Sequence, residues 1–190
     1  GNMFSDEVTA VLNELRDMPE KVQHVIDNEK QVYDLSNAMV DADSVLFLGR
    51  HVGFPVALEG ALKLKEIAYL HAEGFAAGEL KHGPIALIEE GQPVFVIVPS
   101  PRGRDSLHSK VVSNIQEIRA RGAITIVIAE EGDTAVEDYA NHVIRIPKAP
   151  TLMQPLLATV PLQIFAAHVA KSKGYDVDQP RNLAKSVTVE

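Results

Sequence analysis

The chain of 190 residues contains no cysteine, which excludes thiolate nucleophiles, cysteine metal ligands and a disulfide framework. No apolar run reaches the ~18 residues needed to span a bilayer. The start also lacks the basic-then-apolar pattern of a secretory signal. A membrane is therefore not expected as a partner, and cytoplasm is the expected compartment. Positive charge is scarce too: 18 Lys and Arg face 26 Asp and Glu, a formal net charge of −8. Nucleic acid, whose phosphates call for a basic surface, is not an expected partner. A His-Glu-x-x-His zinc site, a Gly-x-x-x-x-Gly-Lys-Ser/Thr loop, a Gly-x-Gly-x-x-Gly fingerprint and a Gly-x-Ser-x-Gly elbow are all absent. Zinc hydrolysis, nucleotide binding and serine-hydrolase chemistry are set aside with them, and neither a metal nor a cofactor is expected.

What remains is a composition with 46% hydrophobic and 23% charged residues, enough for one α/β domain with a real core. Gly1-Asn2 reads as a cloning scar. Ser5-Asp-Glu ahead of Val8, Val11, Leu12 and Leu15 predicts a capped first helix that ends near Pro19 and lies outside the core. Pro19 is then read as opening a second, longer helix, with Val22, Val25, Ile26, Val32, Leu35 and Met39 on its apolar side. Ser44 to Gly49 is a continuous apolar run closed by glycine, the mark of a strand buried on both faces of a parallel sheet. Strands are expected also at 71–75, 93–99, 123–129 and 142–147. Helices are expected from Pro55 to about Leu70, from about Asp105 to Arg121, and from Leu152 to Lys173 with a kink at Pro161. Alternation of strand and helix predicts parallel βαβ units.

The chemistry concentrates between Leu58 and Pro84. At about 100° per residue on a helix, Glu59, Lys63 and Glu66 share a narrow stripe, whereas Lys65 points to the opposite side. Spacing alone also allows an ordinary solvated helix edge, since Glu followed four residues later by Lys is a common stabilising pair. Glu79 and His82 have the three-residue spacing of a carboxylate–histidine metal pair, but no second such pair exists. A phosphorylated substrate would need local positive charge, for which Arg50, His51, Lys63, Lys81, His82, Arg102, Arg104 and Lys185 are candidates. The segment Pro99 to Ser106, leading into a helix, could hold a phosphate on free backbone N–H groups. The stronger reading there is a helix cap at Asp105 or Ser106. His71, His142 and His168 are read as structural.

The stretch from Leu58 to Pro84 and the terminal Asp176-Val-Asp-Gln-Pro-Arg-Asn-Leu-Ala-Lys-Ser-Val-Thr-Val-Glu190 resemble the second sugar isomerase (SIS) half of the glucosamine-6-phosphate synthases, the isomerizing glutamine:fructose-6-phosphate aminotransferases. The resemblance runs from about Pro19 to Glu190. It implies a three-layer, mostly parallel five-stranded sheet of order 2-1-3-4-5 with helices on both faces. Residues 3–42 would be connecting helices, 43–175 the SIS domain and 176–190 a catalytic tail. It also implies fructose 6-phosphate, glucosamine 6-phosphate and glucose 6-phosphate as ligands. Carried over residue by residue, His82 opens the sugar ring, Lys185 holds the carbonyl as an imine, Glu66 moves a proton between C1 and C2, and Lys63 supports the sugar's charge. Glu59 and Ala184 belong to the substrate's wall. His82 would come from a neighbouring subunit, which implies a homodimer. Since the family's glutaminase works through an N-terminal cysteine and its phosphate loop lies in the first half, this chain is expected to be a fragment that grips sugar phosphate weakly. Two other readings stay open: a sugar-phosphate-binding regulatory module, which would not need Glu66 together with Lys185, and an inactive half-domain.

Overall fold

The computed structural model of the chain describes residues 4–102 and 107–183. In order, the elements are α1 (Ser5–Asp27), α2 (Lys30–Ala38), β1 (Ser44–Gly49), α3 (Gly53–Lys63), β2 (His71–Ala76), β3 (Pro93–Ile97), α4 (His108–Arg119), β4 (Ile124–Glu130), β5 (His142–Ile146) and α5 (Gln154–Ser172). A π-turn at Leu64–Ala68 extends α3, and two short 3-10 turns, Ala77–His82 and Pro84–Leu87, follow β2. The sheet order is β2-β1-β3-β4-β5 and every pairing is parallel. That is the expected α/β architecture, with all five strands in one direction.

Alternation along each strand sends side chains to two separate cores. Val45, Phe47, Phe95, Ile97, Ile126, Ile128, Ile144 and Ile146 pack against α1, α2, α3 and α5. Phe95 sits between Phe47, stacked at 5.0 Å, and Phe165 of α5, edge-on at 4.8 Å. The opposite face carries Leu46, Leu48, Val94, Val96, Val98 and Val127, covered by Val111, Ile115 and Ile118 of α4. With both faces buried, the central strands β1, β3 and β4 need no polar side, which is why the sequence shows them as nearly unbroken apolar runs. Among the described residues no helix is long and apolar enough to cross a membrane.

Two helix boundaries differ from the sequence reading, each for a local reason. Pro19 lies inside α1 and does not begin a helix. It removes one backbone donor, but Met18 and Val25 on either side of it are buried, and that packing carries the helix through. The true break is at Asn28, whose side chain donates to the His24 carbonyl at 2.8 Å, the kind of local bond that competes with a helix. At the N-terminus it is Phe4 that precedes the helix, its N–H donated to Glu7 Oε2 at 2.8 Å, with Ser5 already helical. The exposed first half of α1 agrees with the expectation, Val8, Val11, Leu12 and Leu15 all facing solvent. α5 runs through Pro161 as one continuous helix. Described α4 begins at His108, so the proposed caps Asp105 and Ser106 lie outside the described residues.

α4 ends as its sequence predicts. Gly122 has φ +88°, and the Gly122 and Ala123 N–H groups are donated to the Arg119 and Ile118 carbonyls at 2.9 and 3.3 Å, a Schellman closure. A Cβ at Gly122 would lie 2.9 Å from the Glu90 Cα, too close for backbone to yield. Gly122→Ala is expected to destabilise the chain by about 2 kcal/mol, which thermal unfolding would read as a fall in Tm of about 4–8 °C. An unchanged Tm would mean that the backbone at Glu90 and Gly122 moves apart freely.

Candidate functional site

β1 ends at Gly49, where the α3 backbone approaches so closely that a Cβ would collide with the Gly53 carbonyl. That tight turn starts α3 directly off the central strand and sets the phase of its side chains. Lys63 Nζ then lies 2.6 Å from Glu66 Oε2 and 3.5 Å from Glu59 Oε1. The three side chains are only 27%, 29% and 33% exposed, in the order Lys63, Glu66, Glu59, so this stripe is a partly buried cluster and not a solvated edge. The hydrogen bond from Lys63 to Glu66 raises the ammonium above the ordinary lysine range; partial burial opposes this, and the nearby Glu59 charge adds to it. Lys63 is thereby held as a cation at neutral pH.

Past Lys63 the helix widens. The Tyr69 N–H reaches back five residues to the Leu64 carbonyl, and Tyr69 closes the π-turn in the left-handed region, φ +54° and ψ +32°. Such one-turn widenings recur at functional sites. Here the wider turn places Lys65 and Glu66 on the rim of the same hollow, about 620 Å³, together with Leu62, Tyr69, Leu70 and His71. Lys65 was expected on the far side. The regular 100° step fails where the backbone bonds i to i+5.

The other wall of the hollow is the C-terminal segment, through Arg181, Asn182 and Leu183. The Arg181 N–H is donated to Tyr69 Oη at 2.7 Å, and the Arg181 guanidinium lies 4.0 Å from the centre of the Tyr69 ring. Tyr175 packs on the same ring at 4.9 Å. Ala184 and Lys185 lie outside the described residues. Tyr69 was not singled out in the sequence. Its only signal is its place three residues after Glu66, at the end of the helical pattern.

His82 stands apart. Its Nδ1 meets Glu79 Oε2 at 2.6 Å with both side chains largely exposed, 72% and 66%. Glu66 precedes the first residue of β2 and His82 follows its last, so a strand about 20 Å long separates them at ~3.3 Å per residue. Among the described residues no group of three metal-ligating side chains forms around the Glu79–His82 pair. Two of the other candidate cations are engaged elsewhere: Lys81 with Glu117 at 2.8 Å, and Arg102 with Glu130 at 3.0 Å. Arg50 packs against Gly78. Arg104 is outside the described residues. Of the histidines read as structural, His71 lines the hollow, and His168 packs edge-on against Tyr33 at 5.0 Å.

Comparison with known proteins places these features in a family. The chain is 82% identical over 190 residues to the isomerizing glutamine–fructose-6-phosphate aminotransferase of Corynebacterium efficiens, covering all of this chain and 30% of that protein. It is 64% identical over the same span, with the same coverage, to the enzyme of that name from Mycobacterium tuberculosis. The chain thus spans about 30% of the length of the curated relatives it matches. Among solved structures, the C-terminal domain of glucosamine-fructose-6-phosphate aminotransferase from Francisella tularensis superimposes with a TM-score of 0.84 at 36% identity, covering 93% of this chain and 49% of that one. The family description "SIS domain" matches residues 38–172, from the end of α2 to the last residue of α5, and with the five-stranded parallel sheet of order 2-1-3-4-5 it shows that this chain belongs to the SIS domain family.

Proposed function

We propose that this chain supplies the sugar-isomerising part of a glutamine:fructose-6-phosphate aminotransferase, in which fructose 6-phosphate and ammonia released from glutamine give glucosamine 6-phosphate. The observation that carries the reading is the carboxylate of Glu66, bonded to a captive ammonium and set in a hollow whose far wall is the chain leading to Lys185. Isomerisation moves a proton from C1 of the open-chain sugar to C2, and a carboxylate within hydrogen-bond reach of both carbons can take and return it. Linking the C2 carbonyl carbon to a lysine amine as an imine expels water; ammonia then displaces the lysine amine from C2, and the imine makes the proton on C1 more acidic. That amine must be neutral. The Glu66 and Glu59 carboxylates favour the charged form of Lys63, which suits it to steadying negative charge on the sugar. Lys185 is the amine in this reading, with Glu59 and Ala184 forming the substrate's wall.

His82, which would open the sugar ring, lies beyond the opposite end of β2 from Glu66, and the resemblance assigns it to a neighbouring subunit. The reading therefore requires a second copy, with each site built from Glu66 of one subunit and His82 of the other. Chains extended to the length of the curated relatives test this. His82→Asn and Glu66→Gln preparations are each expected to fall to about a hundredth of the parent rate or less. In subunits exchanged by mixing, a two-fold arrangement leaves one intact site in every mixed dimer, so activity should return to about a quarter of the parent's. No recovery on mixing would place His82 and Glu66 in the same chain's site or remove His82 from it.

A further inference from the structure

We infer that Tyr69 is a positioning residue: its hydroxyl and ring clamp the chain at Arg181 and so set where the C-terminal tail enters the hollow beside Glu66. The inference deepens the proposed function, and it rests on that reading only for what the tail then does. Three observations converge on one side chain. Tyr69 Oη accepts the Arg181 N–H at 2.7 Å, the Arg181 guanidinium lies 4.0 Å from the ring centre, and Tyr175 supports the ring at 4.9 Å. Tyr69 is also held at φ +54°, a left-handed backbone that tyrosine rarely adopts. That conformation turns the chain from the π-turn into β2, and the ring above it is pinned by both contacts at once.

The consequence for the tail is geometric. Asn182, at φ +61°, makes a second left-handed turn directly after the clamp, and Leu183 already lines the hollow. Lys185 follows two positions later, so its Cα is tethered within about 7 Å of that of Leu183. Released from Tyr69, the next tertiary anchor back along the chain is Val177, packed against the core under α5, and the tether to Lys185 lengthens from four residues to eight. Chain statistics for that change lower the local concentration of the amine about threefold. Neither Arg181 contact is needed for the fold, since Arg181 is exposed.

Two variants separate the contacts without touching the backbone of Tyr69. In the chain of 190 residues, hydrogen exchange followed by NMR should show the Arg181 amide protected, with about tenfold of that protection lost in Tyr69→Phe. Tryptic cleavage after Lys185, followed by mass, should quicken about tenfold in Arg181→Gln and return toward the parent rate in Arg181→Lys, which keeps a cation over the ring. Thermal unfolding should be unmoved in all three. Unchanged exchange in Tyr69→Phe with unchanged cleavage in Arg181→Gln overturns the clamp. In the extended chain given fructose 6-phosphate and borohydride, both Tyr69→Phe and Arg181→Gln should slow labelling of Lys185. A loosened tail with unslowed labelling overturns the positioning role. Absence of label on Lys185 in the parent would instead refute the proposed chemistry, while exchange and cleavage still decide the clamp.

Discussion

Glu66→Gln is expected to lower isomerisation by about 10²–10⁴-fold, the usual effect of removing a positioned general base, while the sugar still becomes covalently attached. The amide keeps the size of the carboxylate and an oxygen that can accept from Lys63, now 2.6 Å away. It cannot hold the proton in transit. Lys63 retains Glu59 at 3.5 Å as a second partner, so the ammonium is not stranded and stability should change by no more than about 1 kcal/mol. Borohydride reduction in the presence of fructose 6-phosphate should still add the sugar's mass to the variant, in a chain extended to the length of the relatives. Retained isomerisation would strip Glu66 of its assigned role. Loss of both isomerisation and attachment would show that the carboxylate organises the site and does not merely carry the proton.

The second large effect is expected at Lys185. Lys185→Arg should abolish imine trapping altogether, because a guanidinium stays protonated at every accessible pH and offers no free amine. Charge is preserved, so electrostatic attraction of the sugar phosphate should largely survive, which separates chemistry from anchoring as alanine would not. The measurement is reduction followed by peptide mapping. Label on the peptide containing Lys185 in the parent, and its loss in the variant, is the expected pair of results. Two other lysines give the informative failures. Label at Lys65, which lines the same hollow, would move the imine to the rim of the π-turn. Label at Lys63 would require its ammonium to lose a proton despite the Glu66 hydrogen bond that raises it.

How much of this was readable in the sequence differs from element to element. The centre of the sheet was, because strands covered on both faces can be almost wholly apolar, as β1 and β3 are; the edge strands β2 and β5 carry His71, Glu73 and Arg145, and the order 2-1-3-4-5 came from the resemblance. The Glu59–Lys63–Glu66 stripe was as well, since it lies in regular helix up to its last member and follows helical periodicity. Tyr69 was hidden because its conformation is one that sequence assigns to glycine or asparagine, and the π-turn before it has no glycine or proline to announce it. Pro19 misled for the opposite reason: a strong local signal was overruled by burial of Met18 and Val25, which only the assembled core can show. The separation of His82 from Glu66 was hidden too, because fifteen intervening positions say nothing of distance until β2 is seen to run between them.

The hydrogen bond between Arg181 and Tyr69 joins positions 112 apart in the chain, and this bears on the order of events during folding. Closing a loop of that length in an unfolded chain costs about 4 kcal/mol in entropy, far more than one hydrogen bond and one stacked guanidinium return. The contact therefore cannot nucleate anything. It forms once β1, β3 and the helices between Tyr69 and Arg181 have already brought the two ends together, so the clamp is among the last native contacts to close. A nascent or refolding chain thus passes through its partly folded states with Arg181 undocked, and the wall made by Arg181, Asn182 and Leu183 closes on the hollow only after the Glu66 carboxylate has been set in place.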